Sequence, residues 1–157
     1  MRRLLILATA CCASLLLTTT TAFADQTFHS TRLSLVPVAN NPLRHGLVVD
    51  IHANGPVNYA IEEYHLSGAT PNTTYAIEYM ITGAPFGTAI CGSGAVPFPN
   101  GATLSTDRNG NGDSQLKISP AFVTQLGLHH TVLGLSWVFL DSGVPAYQTS
   151  CIAVGLD

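Results

Sequence analysis

Few residues in this chain have the types and spacing of a reactive site, and S-T-D-R-N-G-N-G-D-S-Q, residues 105–115, comes nearest. Asp107, Asn109, Asn111 and Asp113 place an oxygen at every second position, with Gly112 where a calcium loop makes its sharp turn. The final ligand position of such a loop, which needs a bidentate glutamate, is Ile118. The flanks A-T-L-S-T and S-Q-L-K-I alternate like strands rather than helices. Asn109-Gly110 and Asn111-Gly112 are hairpin dipeptides, because Asn and Gly tolerate the positive φ that tight hairpin turns require. The stretch therefore reads first as a hairpin tip. A calcium or sodium ion on Asp107, Asn109, Asn111 and Asp113 is the alternative, and the chain requires no other cofactor.

The remaining candidates are thinner. Zinc or copper needs three or four converging ligands, and the six histidines (His29, His45, His52, His65, His129 and His130) follow no ligand spacing. The best grouping is His52 with His65 and either Asp50 or Glu63, should their two strands pair. C-G-S-G at 91–94 lacks the helix of a nucleophile elbow. Glu62 and Glu63 are adjacent and would point apart on a strand, so they do not form the facing carboxylates of a glycosidase. An enzyme is thus unsupported, with a small hydrolase assembled only in three dimensions as the residual case. Asn72-Thr73-Thr74 is a glycosylation sequon on a predicted loop.

Residues 1–24 carry Arg2 and Arg3, an apolar run from Leu4 to Leu17, and Ala22-Phe23-Ala24 as a cleavage site, which together read as a secretory signal peptide. The residues before Cys11 and Cys12 lack the upstream leucine of a lipoprotein signal. Residues 25–157 then form a single domain with no membrane span. Four cations, Arg32, Arg44, Arg108 and Lys117, stand against nine carboxylates in that region. So few positive charges argue against nucleic acid and against an anionic membrane surface. Cys91 and Cys151 are the two cysteines of the mature chain, and in an oxidising compartment they are expected to form a disulfide.

The elements that must position all of this read as strands. In T-Y-A-I-E-Y-M-I-T, Tyr75, Ile77, Tyr79 and Ile81 share one face, as a sheet with one buried side demands. In L-V-V-D-I-H-A, Leu47, Val49, Ile51 and Ala53 are expected inside, with Val48, Asp50 and His52 outside. V-L-G-L-S-W-V-F-L reads as a central strand with Leu133, Leu135, Trp137 and Phe139 in the core. Further strands are expected at 28–38, 57–66, 102–107, 113–119 and 146–154, with a bulge or early stop at Glu62-Glu63. One helical turn is predicted, capped by Ser119 with Pro120 at its first position. About eight strands with Gly, Pro and Asn punctuation indicate an all-β antiparallel sandwich or barrel.

L-S-G-A-T-P-N-T-T-Y, Leu66 to Tyr75, resembles the corner of fibronectin type III and related immunoglobulin-like domains. That resemblance implies an immunoglobulin-like β-sandwich, with Tyr75 as a tyrosine corner whose hydroxyl satisfies a backbone group upstream. It implies no activity. The longest irregular stretch, G-A-P-F-G-T-A-I-C-G-S-G-A-V-P-F-P-N-G, holds Phe86 and Phe98 as a candidate binding loop for a protein or cell-surface ligand. Capping of the core is the alternative use of both rings. The expectation is a secreted, non-catalytic β-domain of binding or structural type.

Overall fold

The computed structural model describes residues 29–52, 59–128 and 131–156, which form nine strands, one short α-helix and a 3-10 turn at Ala84–Phe86. The strands are β1 (His29–Pro37), β2 (His45–His52), β3 (Ala60–Ser67), β4 (Thr74–Thr82), β5 (Val96–Ser105), β6 (Gly112–Ile118), β7 (Thr131–Asp141), β8 (Val144–Thr149) and β9 (Ile152–Leu156). The helix α1 (Pro120–Gln125) begins as the sequence predicts, with the Phe122 N–H donating to Ser119 Oγ at 3.3 Å. The residues read as a signal peptide, with Cys11 and Cys12, lie outside the described residues, as do Ala53, His129 and His130. Among the described residues no helix is long and apolar enough to cross a membrane.

Every strand pair is antiparallel, and the hydrogen bonds follow one path, β5-β4-β7-β8-β1-β2-β3-β6, with β9 also on β7. The expected division into two sheets is bridged by β1. Its first part, His29–Ser34, pairs with β2, and its last part, Leu35–Pro37, pairs with β8. The two ends of the path, β5 and β6, are consecutive in the chain and joined by residues 106–111, so the sheet curls almost into a barrel.

Its interior is lined by the alternating faces. Tyr75, Ile77, Tyr79 and Ile81 of β4 are all buried, and Leu133, Trp137 and Phe139 of β7 lie across the core from other strands, with Leu135 half-buried. β7 is central, held by β4 on one side and by β8 and β9 on the other. Tyr64 meets Phe139 and Tyr79 meets Trp137 edge-on, at ring separations of 5.8 Å and 6.0 Å.

Three expectations are corrected. β2 has the opposite phase: Val48 belongs to the core cluster, Asp50 and His52 are buried beside it, and Leu47 and Ile51 are only half-buried, while Val49 is buried as expected but outside the core cluster. β3 has no bulge at Glu62-Glu63, since its register with β2 and β6 is continuous; Glu62 points in and Glu63 out. The strand expected over 146–154 is two, because the chain breaks at Ser150-Cys151 and passes from pairing with Phe139 to pairing with Leu135. A bulge does occur opposite Ile77, where β4 steps from Thr103 to Pro99 as its partner on β5. There β5 turns Asn100 and Gly101 out of the ladder, and prolines 97 and 99 sit on this end strand where a missing N–H is tolerated.

Candidate functional site

The β2–β3 register places Asp50 directly opposite Glu62. Both point inward, and side chains so placed have Cβ atoms about 5 Å apart. Strand phase explains the burial of Glu62: Ala60, Tyr64 and Leu66 share its side of β3, and all three belong to the core. Glu62 is 2% exposed.

Three donors from three strands converge on its carboxylate. The Tyr79 hydroxyl donates to Oε1 at 2.7 Å, Trp137 Nε1–H donates to Oε2 at 2.9 Å, and the Tyr64 hydroxyl also donates to Oε2. Asn100, turned inward at the β5 bulge, donates from Nδ2 to the Tyr64 oxygen at 3.1 Å. Burial pushes the Glu62 carboxyl up from 4.5 to about 7, against the lowering effect of the three donors, and the facing Asp50 charge adds to the rise. Tyr64 and Tyr79 are held above the ordinary phenol range, by burial first and by the Glu62 charge second. Both therefore remain hydroxyl donors.

Asp50 and His52 are 4% and 7% exposed, with His52 Nε2 at 3.2 Å from Asp50 Oδ2. The imidazole meets the Tyr59 ring edge-on at 5.6 Å. These groups open onto a cavity of about 70 Å³, to which Asp50, His52, Glu62, Tyr59 and Tyr79 contribute. The rest of its wall is apolar and includes Ile81, Phe98, Ile118, Phe122, Leu133 and Val154. Helix α1 closes one side: Phe122 packs edge-on against Phe98 at 6.2 Å, and Val123 is buried. Arg32, Arg44, Arg108 and Lys117 are all exposed, so no Lys or Arg among the described residues shares the interior with the carboxylates.

The residues singled out from sequence fall elsewhere. At the 106–111 connection, Asp107 Oδ1 accepts from the N–H groups of Asn109 and Asn111 at 2.8 and 2.9 Å, which holds its carboxyl below the usual range. Asn111 Oδ1 accepts from Ser67 Oγ at 2.9 Å, and Asp113 Oδ1 lies 2.6 Å from His65 Nδ1. The tip also docks on the 66–75 crossover, since Ala69 N–H donates to the Gly110 carbonyl at 3.0 Å. Gly110 has φ +75°, and a Cβ there would come 2.1 Å from the Ala69 oxygen, so glycine is required.

The His52–His65 grouping does not assemble, because His52 points into the interior and His65 to the outer side beside Glu63 and Asp113. Among the described residues no group of three or more His, Cys, Asp or Glu side chains is placed to hold a metal. Phe86 and Phe98 are both partly buried against the core, and Phe98 is a cavity wall. Tyr75 is fully buried, its hydroxyl 3.4 Å from that of Tyr147 and in contact with Thr70. Tyr147 accepts from the Thr70 N–H at 3.3 Å and donates to the Pro42 carbonyl at 2.8 Å. Cys91 and Cys151 form a disulfide with Cα atoms 5.6 Å apart. It fastens the 83–95 loop to the break between β8 and β9.

The Asp50–Glu62 pair escapes a reading that sends polar residues outward. Its signal is present in the period of two: the core residues Ala60, Tyr64 and Leu66 leave Glu62 no other side. No family model, no curated protein and no solved structure matches this chain.

Proposed function

We propose that this chain is a secreted binding domain whose cavity takes a small, mainly apolar molecule and orients it on the Asp50–His52–Glu62 floor. The observation that carries the reading is a buried, hydrogen-bonded carboxylate, Glu62, opening onto an otherwise apolar cavity. Apolar walls with a few convergent polar groups are the usual make-up of a small-ligand site. At about 70 Å³ the cavity is roughly half the ~150 Å³ of one that holds benzene, so the molecule it takes is only a few heavy atoms in size. Export is supported by the signal-like residues 1–24 together with the Cys91–Cys151 bridge.

The finer fold reading, an immunoglobulin-like sandwich, rests on the resemblance at Leu66–Tyr75. In its favour, the strands form two sets, β1-β2-β3-β6 and β5-β4-β7-β8 with β9, that share β1. In the same reading the 107–113 stretch is a hairpin connection without an obligatory ion.

Trp137 is the single tryptophan of the chain and bonds the cavity floor, so its emission reports occupancy. Titration with dichloromethane, isopropanol and isopropylamine, each of a few heavy atoms, should give a saturable change for at least one of them. A flat response to all three, with no heat in calorimetry, would sink the binding reading.

A further inference from the structure

We propose, resting on the cavity reading above, that the Cys91–Cys151 bridge is a redox latch on that site: a dithiol reductant that opens it releases β9 and, with β9, one wall of the cavity. β9 supplies Val154 and Leu156 to the lining, beside Leu133 and Leu135 of β7. It is five residues long, and among the described residues β7 is the one strand that pairs with it, through Thr131–Leu135. A short strand held along one edge has few hydrogen bonds to lose and belongs to the low-stability end of a fold. What reinforces that ladder is covalent, since Cys151 stands immediately before β9 and is bonded to Cys91.

The other half of the latch is seated on the sheet. The Cys91 N–H donates to Thr82 Oγ1 at 2.8 Å, and that hydroxyl donates in turn to the Gly134 carbonyl at 3.3 Å, so the bridge ties β9 to a loop anchored on β4 and β7. Cys91 also holds a φ of 55°, a left-handed conformation that a residue with a Cβ takes only while its surroundings enforce it. Cys91 is exposed and Cys151 half-buried, so a small thiol reaches the bridge from the Cys91 side with the chain still folded. The exchange balances within the dithiol. One of its thiolates attacks Cys91 Sγ and Cys151 leaves as a thiolate, which takes up a proton. The second thiol then displaces Cys91 and closes the reductant's own disulfide, so two electrons and two protons pass to the protein. Without the bridge β9 keeps only its ladder, and Val154 and Leu156 are free to leave the cavity wall.

The test reads access to Trp137, which is fully buried and bonded to Glu62 on the cavity floor, so it needs no ligand. Acrylamide, a neutral quencher of a few heavy atoms, is titrated against the bridged chain, the same chain reduced with dithiothreitol, and the double variant Cys91→Ser with Cys151→Ser. Amide exchange is followed in parallel. Opening should raise the quenching of Trp137 by about threefold or more while the amides of β3 and β4 stay protected. Reoxidation should restore the bridged value, and the double variant should stay open with or without reductant. Quenching unchanged by reduction overturns the latch. So does quenching that rises only as β3 and β4 lose protection, because the bridge then holds the whole fold and not the wall. The cavity reading fails separately: silence from dichloromethane, isopropanol and isopropylamine removes the binding site even where the latch opens. A probe that binds while quenching ignores reduction keeps the site and removes the latch.

Discussion

Trp137 and Glu62 lie 75 positions apart in the chain, yet the indole N–H of one donates to the carboxylate of the other at 2.9 Å inside the core. The bond joins β7 to β3, strands that are not neighbours in the sheet, so it crosses the interior rather than following the ladder. A polar group placed there must be fully satisfied or it destabilises the fold.

Removing the acceptor should therefore cost more than altering its charge. Glu62→Leu leaves Tyr64, Tyr79 and Trp137 without their shared acceptor and should lower stability by about 2–4 kcal/mol in urea denaturation. Glu62→Gln keeps an oxygen for Trp137 and Tyr64, and its NH2 can face Tyr79, whose hydroxyl rotates to accept. Its loss should be smaller by at least half. Equal losses would mean that filling space, and not accepting hydrogen bonds, is what Glu62 contributes.

The same residue sets a pH dependence of unusual sign for a carboxylate. Its folded-state value is raised to about 7 from 4.5, so the folded protein holds this proton more tightly than the unfolded chain does. Stability from this group is full below about pH 4.5 and is lost as pH rises through 7, a change of roughly 3 kcal/mol. Denaturation midpoints at pH 5 and pH 8 should differ accordingly, and Glu62→Gln should flatten the difference. Asp107 works in the other direction: its lowered value adds stability that disappears as pH falls below the ordinary value of 3.8.

Opening the Cys91–Cys151 bridge should loosen the 83–95 loop and β9 together. With the cysteines 60 positions apart, the chain-entropy account gives about 4 kcal/mol. Cys91→Ser with Cys151→Ser should show this loss in urea, together with faster amide exchange in β9. Unchanged exchange there would show that β9 is held by its ladder with β7 alone.

Gly134 lies where three segments meet. A Cβ at this position would come 2.1 Å from Thr82 Oγ1 and 2.4 Å from the Cys91 nitrogen, the pair whose 2.8 Å hydrogen bond anchors the loop. Gly134→Ala should destabilise by about 2–3 kcal/mol and slow re-formation of the disulfide after reduction. A wild-type melting temperature for this variant would contradict the close approach.

Asp107→Ala removes the acceptor for the N–H groups of Asn109 and Asn111 and should lower the melting temperature. Because Asp113 and Asn111 face His65 and Ser67 instead, millimolar calcium should leave the melting temperature of both proteins unchanged. A calcium-dependent rise that Asp107→Ala abolishes would restore the ion-binding loop.

Much of the architecture was legible in local pattern. Tyr75, Ile77, Tyr79 and Ile81 alternate without ambiguity and are buried as a set, Ser119-Pro120 opens helix α1, and Cys91 and Cys151 are bonded. These are determined by residues within one element, or by a pair with no competing partner. The candidate site was not legible in that way. In β2 both phases carry aliphatic residues, Leu47, Val49 and Ile51 against Val48, so a period of two does not say which side faces inward. Polarity then points the wrong way for Asp50, His52 and Glu62. Their burial is stable only because Tyr79 and Trp137 reach Glu62 from other strands and His52 reaches Asp50. The sequence by itself determined that strands would alternate and where most of them begin. Which face of β2 became the interior was decided by the tertiary structure, since only there do hydrogen-bond donors distant in the chain offset the cost of taking carboxylates out of water.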